Sequence, residues 1–436
     1  MDFMTLHHNV RLRLGVGFVQ RFFDIMLAPL MVIHFAVLYG AATAGLMTVV
    51  TAGSAMACTF LGGHLADVHG RRPVLLIGEC GTFVAYAGMA VSNSPLLHSG
   101  VATYLCYLAA TSLAGIALPA NDAMIIDVST PATRTTVYTV NYWAINLAFM
   151  LGSLVGAFLY NGHFFDLLLA GVVCTLAIFT VTWFAITETA PPESAGNARS
   201  VSALLSGYVL VARDTVFLRL ILAALLVRSI EVQITSYIAV RLGGHFPTQR
   251  LISFGAWQLT VNGVNMLGIL RAANTVLVLC FALLAKKMFG KYSEQRRLDA
   301  GIVLFTVGYL VWTVSDNAWV LIAAAVVLTA GEIMNAPVKQ SLLANLVPAK
   351  ARTKYMAVYG LTIKAGLLVG SLCVTLGAVV SPAVMAGLFG LFGLGAFVIY
   401  RSLFRADAAR TLEVEARALV SPAPDPDPVQ RSGSAS

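Results

Sequence analysis

Charge is what this 436-residue chain has least of: Asp, Glu, Lys and Arg together make up 11% of it, against 58% hydrophobic residues. Soluble domains carry about 25% charged residues, so the chain cannot cover a soluble surface of its own size with polar groups. The alternating segments of about ten residues that mark membrane β-barrels are missing. A phosphate-binding loop, a nucleophile elbow and a His-rich metal motif are missing too, which excludes nucleotide hydrolysis as a direct energy source and leaves no catalytic constellation. The expectation is a non-enzyme without metal or cofactor. The six cysteines stand singly in apolar runs, without disulfide or ligand spacing, and are read as small packing residues.

What is there instead is a series of apolar runs of about 20 residues, each long enough to cross a bilayer as a helix. Twelve can be drawn, near 14–38, 44–66, 74–93, 101–126, 137–160, 164–187, 218–240, 264–285, 299–315, 319–341, 357–380 and 382–404. The first run is too long and lacks the cleavage site of a signal peptide, so it is expected to stay as a helix. The expected plan is an all-α integral membrane protein: a six-helix bundle over 1–187, a linker over 188–217 and a second six-helix bundle over 218–404. The linker opens Glu188-Thr189-Ala190-Pro191-Pro192, a breaker-rich stretch. A tail over 405–436 turns polar; its last sixteen residues are rich in Pro, Asp and Ser and read as disordered.

The net charge of +8 does not point to nucleic acid, because the basic residues sit at helix ends. Arg11 and Arg13, Arg71 and Arg72, Arg134, Arg213, Lys287, Arg296 and Arg352 all fall on one side of the membrane, whereas Arg241 and Arg250 fall on the other. The positive-inside rule then puts both termini in the cytoplasm of a multi-pass plasma (inner) membrane protein.

Between the second and third runs the chain reads Gly63-His64-Leu65-Ala66-Asp67-Val68-His69-Gly70-Arg71-Arg72. This resembles the loop signature of the major facilitator superfamily, with Val68 where a basic residue is usual. Ala123-Met124-Ile125-Ile126-Asp127 followed by Tyr142-Trp143, then Gly331-Glu332-Ile333 and Ile363-Lys364, sharpen the likeness to LmrP-type multidrug transporters, which exchange drugs for protons. The resemblance implies two bundles that rock about a central site. It also implies a gating role for Gly63, Asp67, Gly70, Arg71, Arg72 and Asp127. Glu332 matches a membrane-embedded carboxylate linked to substrate and proton. Asn141 and Thr235 stand where the resemblance expects aspartates, and Ala157 replaces a proline after Gly152 and Gly156.

The residues themselves lead to overlapping candidates. A charge at the bilayer centre costs about 2.5–3.5 kcal/mol on insertion scales, so each one inside a run needs a partner, a water-filled cavity or a task. Arg21 and Asp24 are three apart, as are Arg228 and Glu231, so each pair shares a helix face and either neutralises itself or faces a cavity. Glu332, Asp24 and Asp122 are the proton-coupling candidates, since a desolvated carboxylate holds a proton more readily than one in water. Arg21, His34, Asn141, Tyr142, Trp143, Arg228, Glu231 and Arg271 are the substrate-cavity candidates. Glu79 is read as structural.

The expectation is a monomeric secondary transporter that exports drugs or other amphipathic molecules by proton antiport, with lipid, protons and a small amphipathic substrate as its partners. The arginines within the runs tilt the substrate toward neutral, zwitterionic or anionic compounds. A proton-coupled importer of a metabolite or peptide shares the fold and the motif, and a membrane-embedded enzyme or receptor is the remote alternative.

Overall fold

The computed structural model describes residues 8–95, 97–127, 131–188, 213–254, 257–282, 285–347 and 352–420. Most of the expected linker and residues 421–436 lie outside the described residues. The chain starts with helices α1 (His8–Tyr39), α2 (Ala41–His69) and α3 (Arg71–Ser92). A two-residue ribbon, β1 (Asn93–Ser94) with β2 (Leu97–His98), leads to α4 (Gly100–Asp127) and α5 (Pro131–Ala185). The second part holds α6 (Thr215–Glu231), α7 (Tyr237–His245), the strands β3 (Gln249–Phe254) and β4 (Trp257–Val261), and α8 (Gly263–Ala282). It ends with α9 (Ala285–Phe289), α10 (Glu294–Val314), α11 (Ala318–Leu346), α12 (Arg352–Gly377) and α13 (Pro382–Val420).

Ten helices among the described residues are long and apolar enough to cross a membrane. Three of the expected spans take other forms. α5 is interrupted at Asn161–His163, where Gly162 takes φ +95°; this break falls between the runs drawn at 137–160 and 164–187. The run drawn at 218–240 is broken: α6 gives way to a 3-10 turn at Val232–Thr235 before α7 resumes. Backbone may leave the helix at membrane depth only where protein or a cavity covers it, and Val232, Ile234 and Thr235 line a cavity described below.

Small residues bring the helices together. Gly331 of α11 lies against the backbone of Gly301 and Phe305 in α10, where a Cβ would have no room, as expected when packing rather than hydrophobicity drives association in lipid. The outward faces carry large apolar side chains such as Ile77, Phe184, Trp319, Leu391 and Val398. A soluble protein would hide these; a bilayer solvates them. The chain is a multi-pass membrane protein.

Helices α1–α5 pack on one another, and α6–α13 do likewise; between these halves α5 meets α8, α2 meets α12 and α1 meets α7. These contacts gather at the end that carries β3 and β4. There Asn265 donates to the carbonyl of Ala157 at 2.8 Å, and Thr375 donates to that of Ala42 at 3.2 Å. The hairpin itself was not expected from the sequence. It is tied to the α10–α11 turn through Gln249, which donates to the Asp316 carbonyl and accepts from Ala318 N. Arg241, expected in a loop, is buried there and holds Asp316 and the Ser315 carbonyl. Arg13, also expected outside, lies within α1, because Glu79 of α3 is there to receive it.

Candidate functional site

Six helices put ionic or polar side chains into one space between the halves. α1 contributes Asp24, α5 contributes Asn146, α6 contributes Arg228 and Glu231, α8 contributes Arg271 and Asn274, α10 contributes Tyr309 and α11 contributes Glu332. The cavity has a volume of about 390 Å³. Arg228 and Glu231, and Arg271 and Asn274, are each three residues apart, which directs both members of a pair to one helix face.

Most of these groups hold one another. Arg228 meets Glu231 at 2.7 Å. Asn274 donates to Glu332 Oε2 at 3.0 Å and to Thr329 Oγ1 at 2.9 Å. The Tyr309 hydroxyl donates to the Glu231 carbonyl at 3.1 Å. Two ionic groups differ. Asp24 is exposed to the cavity and makes no ion pair with Arg21 among the described residues. Arg271 is buried, its guanidinium carbon lies 5.0 Å from the centre of the Phe149 ring of α5, and its Nη1 has no hydrogen-bond partner.

Asp24 also lines a second cavity, of about 180 Å³, inside the first half with Gln20, Arg21, Glu79, Tyr86 and Asn121. One carboxylate thus stands at the junction of both spaces.

The structure brings together five of the residues singled out in the sequence: Asp24, Arg228, Glu231, Arg271 and Glu332. Arg21 lines the smaller cavity. Asn141, Tyr142 and Trp143 line neither, and the two aromatics are exposed. One turn further along α5, Asn146 and Phe149 reach the larger cavity instead. His34 stacks on Phe164 at 4.8 Å and serves packing. Asp122 is exposed and lines neither cavity, although its neighbour Asn121 does. The side chain of Asp127 lies outside the described residues.

The turn between α2 and α3 is a compact charged knot. Gly70 takes φ +93° and ψ 163°, a region essentially reserved for glycine. Asp67 pairs with Arg71 at 2.5 Å. Glu188, at the opening of the expected linker, accepts from Arg71 N at 3.1 Å and Arg72 N at 2.9 Å, which places a carboxylate at the positive end of α3. Arg72 donates to the Trp183 carbonyl. Gly63 lies one turn before, where α2 passes Pro119 of α4.

Residues 14–298 match the family model of the Major Facilitator Superfamily. The chain belongs to that superfamily. Its relatives include a Na(+), Li(+), K(+)/H(+) antiporter of Planococcus maritimus, 26% identical over 387 residues, covering 87% of this chain and 91% of that one. Another is the multidrug resistance protein MdtH of Proteus mirabilis (strain HI4320), 23% identical over 316 residues and 71% of each chain. The fold is shared with a solved POT family transporter in complex with 5-aminolevulinic acid, at a TM-score of 0.70 and 14% identity, over 94% of this chain and 98% of that one. The chain is therefore a secondary transporter of the superfamily.

Proposed function

We propose that this transporter is a proton-coupled antiporter that exports amphipathic small molecules by alternating access, in the manner of the LmrP-type exporters it resembles. The observation that carries this reading is the placement of Asp24, Glu231 and Glu332 on the wall of one cavity between the halves. Reading α5 as two spans across Asn161–His163, and α6 with α7 as one broken span, supports a plan of twelve membrane helices in two bundles of six. With the basic loops in the cytoplasm, the hairpin end faces outward. Contacts between the halves at that end make this the inward-facing arrangement.

The proposed cycle needs two states separated by a few kcal/mol. Cargo bound from the cytoplasm lets the halves close on that side, where the knot of Asp67, Arg71 and Glu188 bears on the opposite half. A proton arriving from outside then neutralises Asp24 or Glu332, which weakens the hold on cargo, and release of the knot returns the cavity inward. The energy comes from the proton gradient.

The test is flux in proteoliposomes holding the full chain, under an imposed pH gradient, with Asp24→Asn and Glu332→Gln as variants. Gradient-driven movement of amphiphiles against protons, lost in both variants, is the expected result. Transport that ignores the gradient, or survives both changes, would sink the reading. Uptake coupled to protons would instead favour an importer.

A second reading is favoured by the relative that matches 87% of this chain: exchange of monovalent cations for protons. The same vesicles, given Na+, Li+ or K+ and no amphiphile, decide it. Cation-dependent collapse of the pH gradient would replace the amphiphile as cargo.

A further inference from the structure

We infer that Arg271 is the anchor for an acidic group on the cargo, so that the cavity selects amphipathic molecules carrying a carboxylate or a similar anion. This rests on the reading that the cavity holds cargo and goes beyond it by naming the chemistry that is recognised.

The inference starts from an imbalance. Arg271 is only 9% exposed and lines the large cavity, yet among the described residues its guanidinium makes no hydrogen bond and no ion pair. A guanidinium carries five N–H donors in a planar fork, and burying a charge without partners is among the costliest arrangements a protein can hold. Among the described residues neither nearby carboxylate bonds to it directly. Glu231 is engaged by Arg228 at 2.7 Å and Glu332 by Asn274 at 3.0 Å. Its guanidinium carbon lies 5.0 Å from the centre of the Phe149 ring, a cation–π contact that holds the head group but satisfies none of its N–H donors.

A guanidinium held beside an aromatic ring, at the wall of a space of about 390 Å³, suits the two oxygens of a carboxylate. The rest of the wall suits the rest of such a molecule. Ile25, Ala28, Val278 and Leu367 are apolar and share the wall with the ionic and polar side chains already named, so an amphipathic molecule meets both kinds of surface. Asp24, without an ion pair among the described residues, comes from the other half of the molecule and offers a place for an amine when the cargo has one. Phe149 belongs to the first half and Arg271 to the second, so an anion bound at the fork sits on the seam that must rearrange during transport.

The experiment measures binding rather than flux. The full chain in nanodiscs is titrated with 1-naphthaleneacetic acid and with its neutral amide by equilibrium dialysis, with empty nanodiscs as the partition control. The wild type is expected to prefer the acid by at least about tenfold, the worth of one charge-assisted contact. In Arg271→Gln the acid-to-amide ratio should collapse toward one. In Arg271→Lys, which keeps the charge and loses the fork, it should fall between. The ratio is read on folded protein, checked by size exclusion, so a merely structural role for Arg271 would lower both affinities and leave the ratio standing. A wild type that binds acid and amide equally, or does not bind the acid, or an Arg271→Gln variant that keeps the wild-type ratio, would overturn the assignment. Failure of proton-driven flux with this ratio intact would defeat the antiport reading alone.

Discussion

The guanidinium of Arg13 meets the carboxylate of Glu79 at 3.0 Å, with both side chains 1% exposed, and a second arm of Arg13 reaches Thr182 Oγ1 at 3.3 Å. One pair thereby ties α1, α3 and the second part of α5. A buried pair is an uncertain gain in itself, but removing one partner strands the other charge, at a cost of about 3–5 kcal/mol. Arg13→Ala or Glu79→Ala is expected to lower the melting temperature of the purified protein markedly. The double change Arg13→Met with Glu79→Leu should recover most of the loss. Melting followed by intrinsic fluorescence checks it, and single variants that melt with the wild type would show that the pair does not hold these helices.

Gly70 is the hinge of the charged knot. Its backbone lies at φ +93° and ψ 163°, and a Cβ there would also come within 2.7 Å of Glu188 Oε2. Gly70→Ala therefore pays strain of about 1–3 kcal/mol and displaces the carboxylate that caps α3. Glu188→Ala removes the cap without the strain. Transport should fall in both, with Glu188→Ala the milder, when initial rates are compared at equal amounts of protein in the vesicles. Equal rates for wild type and Gly70→Ala would mean the turn tolerates another path.

The hydrogen bond from Asn274 to Glu332 at 3.0 Å separates proton loading from cargo binding experimentally. Glu332→Gln keeps the shape and a partner for Asn274 but takes away the titrating group. Gradient-driven transport is expected to drop to the level of empty liposomes, while exchange of labelled for unlabelled cargo, which moves no net proton, persists. Loss of both activities together would make Glu332 a cargo or packing residue instead.

How much of this could be read from the chain depends on what each residue costs. Asp24, Arg228, Glu231, Arg271 and Glu332 stand out because an ionic side chain in an apolar run is expensive wherever it goes. Asn146, Phe149 and Tyr309 reach the same cavity but are cheap enough in a membrane helix to pass as packing. Asn274 left a trace, standing three residues after Arg271, as Asp24 stands after Arg21. Tyr142 and Trp143 drew notice as an aromatic pair, and the helix turned them outward. Glu188 was unreadable as a cap, because its partners lie more than a hundred residues earlier in the chain. The β3–β4 hairpin did leave a signal in Phe254-Gly255-Ala256-Trp257, a Gly-containing turn between runs of aliphatic and aromatic residues, which a search tuned to 20-residue spans passes over.

The close approach of the halves at the hairpin end makes the last prediction. Gly268 of α8 lies where a Cβ would collide with Ala157 Cβ and come within 2.7 Å of the Ser153 carbonyl in α5. Gly268→Leu forces these helices apart just where Asn265 bonds across to Ala157. Overpacking of this kind costs about 1–3 kcal/mol, which shifts a two-state population by about one to two orders of magnitude. The state that pays is the one with the hairpin end closed, so the equilibrium should move toward the state open at that end. Spin labels on Val37→Cys and Val379→Cys, both exposed positions at this end, report the distance between halves in a background without the six native cysteines. The distance distribution is expected to move to longer values in Gly268→Leu. An unchanged distribution would mean that the α5–α8 contact follows the closure of the halves rather than governing it.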